Sequence, residues 1–359
     1  MRRAERRSVE AIMSTETRTQ SAVVYSETGD ASVLHLVERE IPEPGPGEVR
    51  VRVVRSGVNP TDWKARTGRG PGQRLPFGEV VPNQDGAGVV DAIGEGVDGI
   101  TVGDRVWTFL SAQERPTGTA QQFTVLPVDR VAPLPDDASF DVGASLGVPA
   151  VTAHRALTVA EDGPRRLAPG ALDGRVVLVS GGAGAVGHAA IQLARWAGAT
   201  VVTTVSGPEK AELARAAGAH HVVNYRDDDA DEQIRSIAPD GIDTVVEVAI
   251  ASNLDLDTAV LRPRGVVASY ADGGGDTVAV AIRPHMVGNI RLQFILIYTM
   301  GAEALAAAAE DVTAAVAAGA LEVGEENGLP LHRFTLEQTA DAHRAVEADA
   351  VGKVLIDVE

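Results

Sequence analysis

The sequence predicts an α/β protein in two parts, one β-rich and one built on a doubly wound parallel sheet, and three observations carry that prediction. Up to about residue 135, short β-like runs are punctuated by glycine and proline. Beyond residue 138 the pattern becomes an alternation of buried strands and amphipathic helices. Within that alternation, one strand runs straight into Gly181-Gly182-Ala183-Gly184-Ala185-Val186-Gly187 and then into a helix.

In the first part the β-like runs fall at residues 22–25, 34–38, 48–54, 88–93, 104–109 and 120–126. The second part opens with a helix over 142–157, followed by strand 176–180, helix 186–196, strand 200–205 and helix 208–217. Strand 221–223, helix 232–237, strand 244–247, helix 254–261 and strand 266–269 continue the alternation. A further strand is expected over 290–298, an alanine-rich helix over 302–318, a last helix over 336–347 and a last strand over 354–358. Fold-like patterning starts near Ser21, and Met13 is an alternative start, so residues 1–20 are expected to be a disordered leader. Its arginines precede no apolar core of the kind an export signal needs.

Composition removes several function classes. A chain of 359 residues with 44% apolar content can bury a large core. Its net charge of −18, with no basic cluster beyond the first residues, argues against nucleic-acid binding. No uncharged apolar run reaches the roughly 18 residues of a membrane span, and a cytoplasmic protein is expected. The chain has no cysteine, which excludes disulfides, thiolate nucleophiles and cysteine-bound zinc. Its eight histidines are scattered without metal-ligand spacing, so no metal site is expected, and His154 and His188 on apolar helices read as structural. No Gly-x-Ser-x-Gly motif is present to suggest hydrolysis.

The glycine-rich stretch is the strongest local signal. Gly181, Gly184 and Gly187 give Gly-x-x-Gly-x-x-Gly, with Ala185 and Val186 opening the helix. Small residues let backbone approach a pyrophosphate, and a helix N-terminus offers unpaired N–H groups and positive dipole. Where the next strand ends, an acid would bind the ribose of NAD, but here the chain reads Ser206-Gly207-Pro208-Glu209-Lys210. A hydroxyl and a lysine suit a 2′-phosphate, which favours NADPH over NADH. Composition alone leaves a second reading open, in which Ser206 caps the next helix and Lys210 is a solvated charge.

Several motifs in order carry a resemblance. They are Gly57-Val58-Asn59-Pro60 with Asp62, the stretch 82–90, Gly103-Asp104-Arg105-Val106, Gly147-Val148-Pro149 with Thr152-Ala153, the glycine-rich turn, Gly218-Ala219, Asn224-Tyr225-Arg226 and Gly352-Lys353. From residue 22 onward the chain resembles the NADPH:quinone oxidoreductases, relatives of zeta-crystallin within the medium-chain dehydrogenase/reductase superfamily. The resemblance implies a GroES-like barrel of residues 21–151 and 299–359, a Rossmann domain of residues 152–298, and an active site in the cleft between them. It implies Lys210 and Tyr225 as 2′-phosphate contacts, Thr152 against the nicotinamide, Ala249 and Asn253 beneath the ring, and Lys353 among the cofactor-binding residues. In similar proteins strand 290–298 pairs with its twin, which implies a homodimer.

Departures from the superfamily shape the chemistry. Zinc-dependent alcohol dehydrogenases place Cys where this chain has Asn59 and a His-Glu pair where it has Gln84-Asp85. Without a Lewis acid, quinones and conjugated enones are the expected acceptors, because their reduced forms are stabilised anions. Asn59 and Lys64 are the expected donors to the acceptor oxygen. For Asn59 the local alternative is a turn residue before Pro60, and for Lys64 an exposed lysine ending a short helix; a buried Lys64 would instead be a proton donor. Lys64 is also similar to a feature of 2-alkenal reductases. Trp63, Tyr270, Phe294 and Tyr298 are candidates to line the acceptor pocket, the alternative for the last two being core or subunit interface. Two rival functions stay open: an enoyl-thioester or biosynthetic-intermediate reductase, and a non-catalytic NADPH-binding sensor or structural protein.

Overall fold

The computed structural model describes residues 18–68, 72–227 and 229–359, and its two main sheets share one buried helix. Strand β1 (Thr19–Val24) pairs antiparallel with β2 (His35–Glu40). Thr19 and Gln20 of the expected leader therefore belong to folded structure, while residues 1–17 lie outside the described residues.

The first large sheet gathers strands from both ends of the sequence. β3 (Glu48–Val58), β4 (Asp85–Ile93), β5 (Arg105–Thr108), β6 (Phe123–Pro127) and β7 (Val131–Pro133) are joined by β14 (Leu331–Thr335) and β15 (Lys353–Asp357). Their order is β14-β15-β3-β4-β5-β7, with β6 also on β3. Along β3, Val49, Val51 and Val53 alternate into the core, as a half-buried strand requires. β15 pairs antiparallel with the far end of β3 in a register that sets Val354 opposite Val58. Lys353 is thereby delivered beside Asn59, where β3 gives way to α1 (Pro60–Thr67).

The second sheet is parallel and six-stranded, in the order β10-β9-β8-β11-β12-β13. Its strands are β8 (Val176–Ser180), β9 (Thr200–Val205), β10 (His221–Asn224), β11 (Ile242–Glu247), β12 (Leu261–Ser269) and β13 (Arg291–Phe294). The central ones are continuous runs of Val, Ile and Thr, because helices cover both faces of such a sheet. Among those helices are α3 (Ala185–Trp196), α4 (Pro208–Ala216), α5 (Ala230–Ile237) and α6 (Ile250–Val260).

Helix α2 (Phe140–Leu157) joins the two halves, packing on β4 and β5 of one and on α3 and α8 (Ala302–Ala317) of the other. Glycines make its approach possible. A side chain at Gly57 would collide with the carbonyl oxygen of Ala144, and one at Gly147 with the carboxylate of Asp85.

Four elements depart most clearly from the sequence reading. The strand expected over 290–298 stops at Phe294, because β12, its only partner among the described residues, ends opposite it at Ser269. Ile295 N makes the last rung to Ser269 O, and Ile297–Thr299 turn into a 3-10 helix. Helix α7 (Ile282–Gly288) and strand β14 were not anticipated: the first has no apolar periodicity, and the second is a partly exposed edge. The final helix divides into a 3-10 turn at Leu336–Gln338 and α9 (Thr339–Glu347).

The two histidines read as structural are indeed buried in internal bonds. His188 Nε2 lies 2.8 Å from Asn327 O, and burial lowers the ring to about 4. His154 Nε2 lies 2.8 Å from Asp311 Oδ2. Asp311 also accepts from Arg166 and from Leu167 N at 2.7 Å, pinning α8 to α2 and to the segment that follows it. Burial opposes its ionisation, but these donors outweigh it and hold the carboxyl at about 2. A depressed carboxyl stabilises the fold above its unfolded value of about 4 and loses that contribution as pH falls toward the folded value. Asp311→Ala is expected to cost about 3 kcal/mol in urea unfolding at neutral pH, and to flatten the loss of stability between pH of about 4 and about 2.

Candidate functional site

The glycine-rich turn lies where the strand order reverses, between β8 and β11, the place at which doubly wound sheets bind ligands. Gly181 takes φ +72°, a conformation that favours glycine, and the N–H groups of Gly181 and Gly182 both reach Thr204 O, at 3.1 and 3.3 Å. A side chain at Gly187 would strike the Gly181 carbonyl oxygen, and one at Gly182 would strike Thr203 Oγ1. At Gly184, the N-cap of α3, the nearest atom to an added Cβ is 3.5 Å away. Gly184 therefore keeps space open above the turn, with Ala185 and Val186 in the uncapped first turn of α3 beside it. This cradle fits a dinucleotide pyrophosphate. The steric need at Gly182 was hidden by the three-residue spacing; the Gly-Gly pair was its only trace.

At the outer end of the sheet, Tyr225 N donates to Val205 O at 3.1 Å, so the ends of β9 and β10 lie together. Ser206 and Lys210 are half-buried there, with Tyr225 47% exposed and Arg226 exposed beside it. Gly207, not Ser206, is the N-cap of α4, so the capping alternative for Ser206 is not realised. Among the described residues, no carboxylate forms an ion pair with Lys210 or Arg226.

At the inner end, Glu247 closes β11 fully buried. Its Oε1 accepts from Ala249 N and, at 3.0 Å, from Asn253 Nδ2, which also reaches Ser180 Oγ at 3.1 Å. The Asn253 amide thus braces the loop from below, and Ala249 is the N-cap of α6. Tyr270 N donates to Glu247 O at 3.0 Å, and burial, together with the nearby Glu247 charge, raises its phenol. Thr152 is buried on α2.

The floor of the other half is a buried polar cluster. Asn59 Nδ2 donates to Asp85 Oδ2 at 2.7 Å, and Lys353 Nζ donates to Asn59 Oδ1 at 2.7 Å while standing 3.5 Å from Asp85 Oδ2. Asp85 Oδ1 accepts from Val148 N of α2 at 2.8 Å. Asp62 accepts from Asn59 N at 2.7 Å and from Gln84 N at 3.1 Å. Burial and the Asp85 charge push Asp62 up to about 8, and burial raises Asp85 and lowers Lys353. Lys353 is 1% exposed, and its ammonium is held by Asn59 and Asp85. Asp62 and Asp85 entered the sequence reading only as motif positions, since their partners are distant in sequence.

Lys64 is 48% exposed on α1, so the buried proton donor is not found. Its Nζ donates to Asp272 Oδ1 at 2.8 Å, a link from α1 to the loop after β12, and this partner holds the Asp272 carboxyl below its ordinary value. Trp63 is half-buried, its ring 6.0 Å from Lys64 Nζ. A second link joins the halves deeper in, where Tyr298 OH lies 2.7 Å from Thr61 Oγ1. Burial, then the Asp62 charge, raises the Tyr298 phenol, so it stays protonated. Phe294 is 64% exposed on the edge strand β13.

Comparison with known proteins agrees with this geometry. The alcohol dehydrogenase GroES-like domain family matches residues 45–136, and the zinc-binding dehydrogenase family matches residues 185–318. A quinone oxidoreductase of Lama guanicoe is 31% identical over 351 residues, covering 96% of this chain and 99% of that one. A 2-haloacrylate reductase of a Burkholderia species is 35% identical over 260 residues, covering 71% and 74%. Among solved structures, a mycobacterial quinone oxidoreductase superposes with a TM-score of 0.80 at 29% identity, covering 94% of this chain and all of its own. The Escherichia coli quinone oxidoreductase complexed with NADPH gives 0.76 at 25% identity, covering 95% and 100%.

The zinc implied by one family description does not fit the residues present. Among the described residues, no three His, Cys, Asp or Glu side chains gather as metal ligands. The Lys353 ammonium, 3.5 Å from Asp85 Oδ2, already stands where a cation would be repelled.

Two substitutions separate structure from ligand in the cradle. Gly182→Ala is expected to destabilise by about 2 kcal/mol or more through overpacking, read in thermal melts. Gly184→Ala is expected to cost only about 1 kcal/mol, yet to weaken dinucleotide binding by filling the open space, read by fluorescence titration with NADPH.

Proposed function

From a chain that belongs to the quinone oxidoreductase, zeta-crystallin-like branch of the medium-chain dehydrogenase/reductase superfamily, we propose an NADPH-dependent oxidoreductase that passes hydride to a quinone or α,β-unsaturated carbonyl without a metal ion. The observation that carries this reading is the cradle at Gly181–Gly187, with Ser206, Lys210, Tyr225 and Arg226 gathered at the neighbouring strand ends and no acid closing β9. When bound, NADPH supplies the hydride.

The chain's own residues position the partners and receive developing charge. The turn and the first N–H groups of α3 hold the pyrophosphate, and Lys210 and Arg226 meet the 2′-phosphate as charge-assisted donors. Thr152 and the loop around Ala249 orient the ring. Asn59 gives one amide N–H to Asp85 and keeps the other for the acceptor oxygen. Tyr298, held protonated, is the second donor. Lys64, paired with Asp272, links the halves at the surface and is not assigned to the chemistry.

A second acceptor class, an activated alkene bearing a carboxylate, is favoured by the likeness to the 2-haloacrylate reductase. The chain is also proposed to form a homodimer. Edge strand β13 exposes Phe294, with Leu296 exposed after it, and α7 exposes Ile282, Met286 and Val287, apolar surface that pairing at this edge would help to cover. Sedimentation equilibrium is expected to give twice the chain mass, and Phe294→Glu to shift it toward one.

The activity test mixes purified protein with NADPH or NADH and a panel of quinones, alkenals and enoyl thioesters. Oxidation of NADPH by quinones or enones is the expected result; turnover with thioesters alone would point to biosynthesis, and binding without turnover to a sensor. Lys210→Ala is expected to raise KM for NADPH about tenfold or more while leaving that for NADH unchanged. A wild-type preference for NADH would overturn the 2′-phosphate assignment.

A further inference from the structure

Below the inner end of the dinucleotide site lie two carboxyls that the proposed chemistry does not use. Glu247 at the end of β11 is 0% exposed and Asp257 on α6 is 1% exposed. Glu247 Oε1 is satisfied by Ala249 N and Asn253 Nδ2, but Glu247 Oε2 and Asp257 Oδ2 have no other donor among the described residues. The groups around the pair are Ser180 at the end of β8, Ala249 and Asn253 on or beside α6, and Tyr270 after the end of β12. Among the described residues, no lysine or arginine forms an ion pair with either carboxyl.

Two buried carboxyls without a cation cannot both ionise, so they hold one proton between them and one negative charge. Burial and the Glu247 charge raise Asp257 well above the ordinary carboxylate range, and burial raises Glu247 as well. Donors are supplied only to Glu247, so the charge rests there and the proton on Asp257. That charge sits between the ends of β8 and β12, directly under the loop Ala249–Asn253.

We propose that Glu247, with Asp257 as its proton-sharing partner, is an electrostatic positioning residue whose buried negative charge selects the oxidised, cationic nicotinamide over the neutral reduced one. The proposal rests on the nicotinamide cofactor read above. Hydride loss converts a neutral ring into a cationic one, and a fixed negative charge beneath it stabilises that product and the transition state leading to it. The reaction balances as NADPH, acceptor and one proton giving NADP+ and the two-electron-reduced acceptor; Glu247 stays ionised throughout and transfers nothing. One unit charge acting over about 10 Å through an effective dielectric near 20 changes relative affinity by on the order of tenfold.

The test compares dissociation constants of NADP+ and NADPH for the intact protein and for Glu247→Gln, which keeps an acceptor for Ala249 N. The substitution is expected to weaken NADP+ about tenfold more than NADPH. Equal effects on the two forms would overturn the proposal. Failure of the intact protein to bind either form would instead overturn the cofactor reading beneath it. A second measurement needs no variant: burial raises Glu247, so acidification protonates the pair and removes its charge, and the preference for NADP+ is expected to fall as pH is lowered while the protein stays folded. A ratio that holds constant on acidification would also overturn it.

Discussion

One buried ammonium holds the floor of the cleft together. Lys353 bonds Asn59, stands beside Asp85, and through Asp85 reaches the backbone of α2 at Val148. Three structural junctions meet at that point: the pairing of β15 with β3, the start of α1 at Asn59, and the approach of α2 through Gly147. Removing one member would leave a desolvated charge unpaired, a loss of about 3 to 5 kcal/mol in comparable buried pairs. The Asn59 side chain is thus fixed by the interactions that close the barrel, so folding and the pre-organisation of this polar cluster share one cause.

The protein places its charges in two environments with different consequences. The Lys64–Asp272 pair is half-exposed and worth little in isolation, so it links the two halves without locking them. The Glu247–Asp257 pair is sealed, and there a missing counter-charge matters because solvent cannot screen it. A chain of net charge −18 repels an anionic ligand at long range. On the proposed reading, Lys210, Arg226 and the positive end of α3 would offset that repulsion at the strand ends.

Much of this was legible in the sequence because it is local. Strands β8 and β9 match their expected bounds residue for residue, since continuous β-branched runs between glycines and helix starts admit few alternatives. The cradle was legible for the same reason, its strand, turn and helix being consecutive. What escaped were pairings across the chain. Asn59 and Lys353 are 294 residues apart, and Lys64 and Asp272 are 208 apart, so no spacing rule connects them. The motif of Lys353 was visible, but its register against β3, which sets it beside Asn59 and Asp85, was not. The exposure of Phe294 was not legible either, because alternation along a strand shows two faces without saying which neighbour covers either.

The register of β15 on β3 also bears on the order in which the chain can acquire its structure. The parallel sheet is assembled from segments consecutive in sequence, each strand finding its neighbours within a few dozen residues. The other sheet stays open at the Arg55–Val58 end of β3 until β15, which begins 295 residues after Val58, has left the ribosome. During synthesis the nucleotide-binding half can therefore mature while β3 presents an unpaired edge and two uncompensated aspartates, the stretch of biogenesis in which this chain most needs shielding from its neighbours.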